Sequence, residues 1–313
     1  MVRVVVAGGT GGVAREVIDG ILATKKHEVV VLTRRDIKAA APSIEFVKVN
    51  YSDKAALVEA LRGAGVVLSF IVVHQDVGNV AQKNLIDAAV EAGVRRFAPS
   101  EWATKSNSGY ARYAGKDEVR KYLEEINKDK NVLEYTLFQP GIFLDYLAHP
   151  YARTSHLPTM SMSVSYQHRR AIYIGDGCQP VVFTAVRDVA AIVAAALDHP
   201  SPWPASGGIQ GMRTSFAELV ALGEALRGPF VVESLPEAHV EEGVLKASWI
   251  PLIEHPSVPE EQRKAASSAF LGGFLKAIDR GVWDVGDEWN KLLPDFNFTA
   301  GEEYLRKTWE KKP

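Results

Sequence analysis

Cysteine is almost missing: Cys178 is the only one among 313 residues. No intrachain disulfide can staple the fold, and this usage fits a reducing compartment. Standing beside Gly177, Cys178 reads as a bland residue rather than a nucleophile. Long apolar runs are missing too, so no segment reaches membrane-spanning length. The opening run Val2–Ala7 is too short, and too soon followed by charges, to be a signal peptide. A cytoplasmic protein with an intact N-terminus is therefore expected. Neither sign of charge dominates: 36 Lys and Arg face 38 Asp and Glu, which gives no electrostatic reason for a nucleic-acid or acidic-membrane partner. The eight histidines show no HExxH or comparable spacing, so no metal site is expected. Internal repeats and low-complexity tracts are also absent.

What is present is a glycine-rich turn at the start. Val4–Ala7 is a short apolar run suited to one buried strand, and Val13, Ala14, Val17, Ile18, Ile21 and Leu22 then recur at helical spacing. Between them lie Gly8, Gly9, Thr10, Gly11 and Gly12. Strand, glycine turn and helix form the context of a dinucleotide fingerprint, here spaced G-x-x-G-x-x-A through Gly8, Gly11 and Ala14. Gly8 lets the chain leave the strand in a conformation that a Cβ would penalise. Gly11 lets the backbone approach a pyrophosphate, and Ala14 lets the helix lie close on the sheet. The helix N-terminus offers free N–H groups and a positive dipole end to phosphates.

Further strands are expected at Glu28–Leu32, Ile44–Val49, Gly65–Phe70, Arg96–Ala98 and Tyr135–Phe138, with helices between them. Ser52 and Asp53 offer N-cap chemistry for the helix ending near Leu61, and Gly93 stands where a C-cap glycine belongs. Such alternation with short connections specifies a parallel sheet covered on both faces. Ligands then bind beyond the carboxyl ends of its strands. The second strand ends at Thr33-Arg34-Arg35, where arginine suits a 2′-phosphate better than the acid that would hold ribose hydroxyls. Asp36, two residues after Arg34, keeps NAD as the weaker alternative, and NADPH is the expected cofactor. Its expected contacts are Gly8, Thr10, Gly11, Gly12 and Val13 in the first turn, Arg34, Arg35 and Asn50 beyond the next two strands, Val72 and Gln75 beyond the fourth, then Ser100, Lys116, Gly141 and Phe143.

Lys116 stands out within the helix expected from about Tyr113 to Asn127. It shares an apolar face with Val119, Leu123 and Ile126, whereas Arg120, Lys121 and Glu124 read as solvated on other faces. Beyond Gln139-Pro140-Gly141 the chain turns irregular and aromatic. Phe143, Tyr146 and Met160 there are expected to line an apolar pocket. Arg170–Ile174 and Val181–Thr184 read as short strands around Gly175-Asp176-Gly177. Asp188 reads as the cap of the helix Val189–Leu197, residues 199–208 as a connector, and Phe230–Glu233 as a strand. Ser215 with Glu218, and Thr299 with Glu302, read as two capping boxes. Residues 236–284 read as helical, broken by Pro251, Pro256 and Pro259.

The opening Gly8-Gly9-Thr10-Gly11-Gly12, Arg34, and the run Arg95-Arg96-Phe97-Ala98-Pro99-Ser100-Glu101-Trp102 resemble the isoflavone reductase-like, NmrA-like branch of atypical short-chain dehydrogenases. Gly175-Asp176-Gly177, Val186-Arg187-Asp188-Val189 and Leu293-Pro294-Asp295 are similar too, so the resemblance covers nearly the whole chain. In that family the central motif commonly reads RFxPSEFG; here Trp102-Ala103 replaces Phe-Gly. The resemblance implies a catalytic lysine on the helix after this motif, and Lys116 matches it. The Tyr-x-x-x-Lys pair of ordinary short-chain dehydrogenases is absent, because Arg112 stands four before Lys116 and Tyr113 three before it. Residues 236–284 look less like the plant reductases.

The expected fold is therefore α/β: a Rossmann-type doubly wound parallel sheet with a smaller, mostly helical substrate-binding lobe. The core is expected over 1–140 and roughly 170–212, the lobe over 141–169 and roughly 213–298, and a C-terminal helix over 299–313 packed on the core. The expected activity is reduction of a small aromatic or conjugated ketone, enone, imine or ether. Lys116 would move the proton, and Trp102, Tyr113, Phe143, Tyr146 and Met160 would surround the substrate. The competing expectation is a non-catalytic regulator that binds NAD(P) to sense redox state, since fold does not decide function. A monomer or homodimer acting on a small molecule is expected.

Overall fold

The computed structural model describes residues 1–37, 44–241, 245–252 and 259–313. Six parallel strands form its main sheet: β1 (Arg3–Ala7), β2 (Glu28–Thr33), β3 (Ile44–Lys48), β4 (Val66–Ser69), β5 (Arg96–Ala98) and β6 (Glu134–Tyr135). Their spatial order is β3-β2-β1-β4-β5-β6, so the order reverses at β1, beside the glycine turn. Side chains alternate across the sheet. Val5, Val30 and Val67 pack with Leu57, Leu85 and Val119 from α2 (Lys54–Ala60), α3 (Val80–Glu91) and α4 (Ala114–Ile126). Val4, Val6, Val29 and Val31 pack on the other face with Val17 and Ile21 of α1 (Gly12–Ala23) and Val189 and Val193 of α5 (Val186–Asp198). Near-continuous valine runs are what a strand buried on both faces requires.

The sixth strand is split. Glu134–Tyr135 pairs with Arg96–Phe97, while β7 (Leu137–Gln139) leaves the sheet and pairs in parallel with β12 (Ser206–Gly208). Thr136 makes the break by donating its hydroxyl to Pro204 O at 2.6 Å. The expected connector 199–208 thus contains a strand.

The strands flanking Gly175-Asp176-Gly177 do not form a hairpin. β10 (Arg170–Ile174) sits between β9 (Val164–Ser165) and β14 (Val231–Leu235), whereas β11 (Val181–Thr184) sits between β8 (Ile142–Phe143) and β13 (Met212–Thr214). A second core gathers Ile172, Phe183, Phe216, Leu271, Phe274 and Trp283 from these strands, α6 (Phe216–Arg227) and α8 (Arg263–Asp279). Short helix α7 (Ala238–Glu241) joins this core through Val240, whereas Trp289 of α9 (Glu288–Leu292) packs on the main-sheet side with Phe138 and Trp203, before α10 (Gly301–Trp309). Pro256, one of the expected helix breaks, lies outside the described residues.

The first capping box forms as read: Glu218 N donates to Ser215 Oγ, and Ser215 N to the Glu218 carboxylate. Two other cap readings are corrected. α5 begins at Val186, so Asp188 lies inside its first turn, and the Val186 N–H donates to Asp145 instead. α10 begins after Ala300 with no side-chain cap. Thr299 is bonded to Asp188. The body of α10 packs away from the main sheet: Leu305 and Trp309 join the second core, and the indole of Trp309 donates to Leu147 O.

Candidate active site

The glycine turn lies at the carboxyl end of β1. Gly8 has φ +73°, and a Cβ there would come within 2.8 Å of the Phe70 carbonyl, so this position requires glycine twice over. Gly11 differs. It occupies the N-cap of α1 with ordinary φ and no side-chain cap, and an added Cβ would meet only Gly8 O, at 3.6 Å. The space in front of Gly11 is thus open and the α1 N-terminus carries no side-chain cap, as a phosphate cradle needs. A strap crosses beside it: a Cβ on Gly12 would lie 2.8 Å from His156 O. Glu16 of α1 holds this strap by accepting from the N–H groups of His156 and Leu157, at 2.6 and 3.0 Å. Thr10 is exposed and Val13 partly buried at the same turn.

Arg34 and Arg35 are exposed just beyond β2. Thr33 Oγ1 fixes the bend by bonding both the N–H and the carbonyl of Arg35 at 3.1 Å. The neighbouring acid Asp36 is engaged by Lys48 at 2.6 Å. The hydroxyl of Tyr51 is buried near Gly8 and Arg34, and burial pushes it up to about 12. Asn50 is exposed, with its side chain accepting from Ser52 N. Val72 and Gln75 are exposed beyond β4, while Ser100, Gly141 and Phe143 are buried.

Lys116 is 6% exposed at the start of α4. Its Nζ donates to Glu101 O and lies 4.0 Å from the centre of the Tyr113 ring. Burial holds the ammonium down at about 8, against an ordinary value of 10.5, with Glu101 opposing and Arg120 reinforcing the shift. Arg120 is not solvated as expected. Its side chain is 4% exposed, and its guanidinium clasps both oxygens of the Glu101 carboxylate and reaches Asp117. A residue four after Lys116 lies on the same helical face, so Arg120 belongs to the buried side for the reason Lys116 does. Glu101, in the Ser100-Glu101-Trp102 run, was given no role by its sequence neighbours alone.

A cavity of about 170 Å³ is lined by Tyr113, the ring that lies against the Lys116 ammonium. Trp102, Tyr113, Phe143, Tyr146 and Met160 all line it, together with Arg112, Phe270, Phe274 and Trp283, which sequence reasoning missed. The last three arrive from α8 and the turn after it, so no local pattern near Lys116 announces them. Trp102 has a second task. It stacks on Phe70 at 4.2 Å and Phe138 at 5.3 Å, and its indole N–H donates to Ser69 O at 2.7 Å. Among the described residues no group of three or more His, Cys, Asp or Glu is placed to hold a metal. No described helix is long and apolar enough to cross a membrane.

Comparison with known proteins gives a consistent picture. The chain is 34% identical over 233 residues to "Oxidoreductase BOA1" of Botryotinia fuckeliana, covering 73% of this chain and 77% of that one. It is 28% identical over 327 residues to "Pinoresinol reductase 2" of Arabidopsis thaliana, covering 97% and 96%. Among solved structures, one of AtPrR2 with NADP+ and (+)pinoresinol aligns with a TM-score of 0.71 at 24% identity, over 98% of both chains. The leucoanthocyanidin reductase–NADPH complex from Vitis vinifera aligns with a TM-score of 0.70 at 18% identity, over 99% and 100%. Residues 2–250 match the NmrA-like family, and with the glycine turn, the parallel sheet and the buried lysine in these places, the chain belongs to that family.

Proposed function

We infer that this protein is an NADPH-dependent reductase of a small aromatic or conjugated metabolite. The observation that carries this reading is Lys116: a nearly buried ammonium against Tyr113, whose ring lines an aromatic cavity. An amine desolvated to about 8 is matched to proton transfer near neutral pH, which an ordinary surface lysine is not. The relatives named as oxidoreductases and pinoresinol reductase support the same reaction class.

The residues present fit the dinucleotide. Gly11 leaves open the space a Cβ would fill, α1 presents uncapped N–H groups, and Arg34 and Arg35 stand exposed where a 2′-phosphate would need a guanidinium. When bound, NADPH supplies the hydride. Lys116 donates a proton to the oxygen or nitrogen of the substrate on which negative charge develops, directly or through one water. Tyr113, Phe143 and Trp283 offer ring faces and edges to a flat substrate and exclude water from the lysine. A volume of about 170 Å³ suits a single aromatic ring, since an apolar cavity of roughly 150 Å³ holds benzene.

The test is NADPH oxidation, followed at its absorbance band, across a panel of single-ring aryl ketones, enones and imines. Turnover of any class that disappears in Lys116→Ala supports the reading. Tight NADPH binding with no turnover of any panel member leaves the redox-sensing regulator as the better description.

A further inference from the structure

The Glu101 carboxylate lies beside Lys116 in the interior, yet the lysine does not pair with it. Arg120 occupies it instead: Nε donates to Oε1 at 3.0 Å and Nη2 to Oε2, while Nη1 reaches Asp117. Glu101 and Arg120 side chains are 1% and 4% exposed. Among the described residues the Lys116 ammonium donates one hydrogen bond, to the backbone carbonyl of Glu101. A bidentate guanidinium–carboxylate clasp is geometrically fixed, so the residue whose carbonyl holds Nζ is itself held from the other end.

We propose that Arg120 is a positioning residue that takes the Glu101 carboxylate away from Lys116, leaving a buried ammonium fixed by a neutral carbonyl in place of a salt bridge. This rests on Lys116 being the proton-transfer group. The physical logic is competition for one anion. Without Arg120, the Glu101 carboxylate would be the natural partner of Lys116, and an ion-paired ammonium surrenders its proton poorly. With Arg120 present, burial dominates and the ammonium is held at about 8. The other groups facing the site are Asp117 on the same helix, Arg112 and Tyr113 just before it, and His74 from the turn after β4, which burial, reinforced by Arg112 and Lys116, holds below its ordinary value.

The two halves of the pair therefore act on Lys116 in opposite directions. Arg120→Gln should raise its apparent pKa by about one pH unit or more, because the freed carboxylate turns to the ammonium. Glu101→Gln should lower it by a similar amount, because Arg120 is then uncompensated. Arg120→Lys should stay near the parent value. A purely structural pair would lower stability in both neutral variants without moving the lysine in opposite directions.

The experiment is competitive labelling of amines in the full chain with acetic anhydride as a function of pH, with Lys116 read by peptide mass spectrometry and folding by circular dichroism. Opposite shifts in the two variants support the proposal; parallel shifts, or none, overturn it. Where the buried variants do not fold, Asp117→Asn carries the test. It removes one of the two acids on Arg120 and should move Lys116 downward by a smaller step, and an unmoved Lys116 overturns the proposal. Because labelling needs no substrate, a failure here is distinguishable from a failure of the reductase reading, which shows as folded, NADPH-binding protein without turnover.

Discussion

Asp188 and Thr299, 111 residues apart, are joined by two hydrogen bonds: the Thr299 N–H and hydroxyl both donate to the Asp188 carboxylate, at 2.7 and 2.8 Å. Arg187 donates to the same threonine hydroxyl at 2.9 Å. This contact ties the start of α5 to the segment entering α10. Burial pushes the Asp188 carboxyl above its ordinary value, with both Thr299 bonds opposing. The contribution of such a raised acid is fully present below the unfolded-state pKa and is lost as pH rises through the folded value. Thr299→Val should therefore cost ~1–3 kcal/mol near neutral pH, where a buried carboxylate loses a partner. The cost should shrink below the usual aspartate range, and Thr299→Ser should stay near parent. Chemical denaturation at two pH values checks this; equal losses at both would rule out the ionised carboxylate as the cause.

Gly11→Val should fold and lose the dinucleotide. The added Cβ meets only Gly8 O at 3.6 Å, so the protein has room for it, while the branched side chain fills the space in front of the α1 N-terminus. Calorimetry should show at least a tenfold loss of NADPH affinity with an unchanged melting curve. Unchanged affinity would remove the glycine turn from the binding site.

Arg34→Ala tests the preference for the phosphorylated cofactor. A charge-assisted bond to a 2′-phosphate is worth ~1.5–3 kcal/mol, so NADPH should weaken about tenfold or more while NADH changes little. Equal weakening of both would give Arg34 another role and leave Arg35 to be examined next.

Lys116→Ala should lower turnover by ~10²–10⁴-fold, the span of a positioned acid or base. In the reducing direction the ammonium is the donor, so the parent rate should hold below about 8 and fall above it; the oxidising direction should show the reverse. Stability has its own sign. A base held below its ordinary value contributes stability that is present above the unfolded pKa and lost as pH falls through the folded one. Lys116→Met should therefore melt no lower than the parent near neutral pH, with any advantage fading as pH rises past about 8. Parent-like turnover in Lys116→Ala would transfer the proton to Ser100, Tyr113 or a ribose hydroxyl.

Trp102→Ala should cost ~3–5 kcal/mol, as for other large-to-small changes in a packed interior. It removes a ring stacked on Phe70 and Phe138 and a hydrogen bond to Ser69 O. Trp102→Phe should retain most of the stability and lose the hydrogen bond. Thermal melts of the two variants separate the stacking from the polar contact, and equal losses would show that the hydrogen bond dominates.

What the sequence alone determined is whatever local periodicity and turn chemistry encode. The glycine turn after a valine strand, the alternation that builds a parallel sheet, the Ser215–Glu218 box and the inward face of Lys116 all follow from spacing within a few residues. The tertiary structure decided where each polar group finds a partner. Arg120, on the Lys116 face, keeps its charge in the interior because Glu101 and Asp117 meet it, and Asp188 and Thr299 give up capping their own helices because each satisfies the other. Thr136 splits the sixth strand because Pro204 accepts its hydroxyl. The cavity at Tyr113 is assembled from residues between Trp102 and Trp283, and the strap at His156 lies on Gly12 because Glu16 holds it. A buried charge or hydroxyl is tolerated only where a partner comes within hydrogen-bond reach. Most of those partners lie in other elements of the chain, so only the folded chain decides how the ionic and polar residues that enter the interior are satisfied.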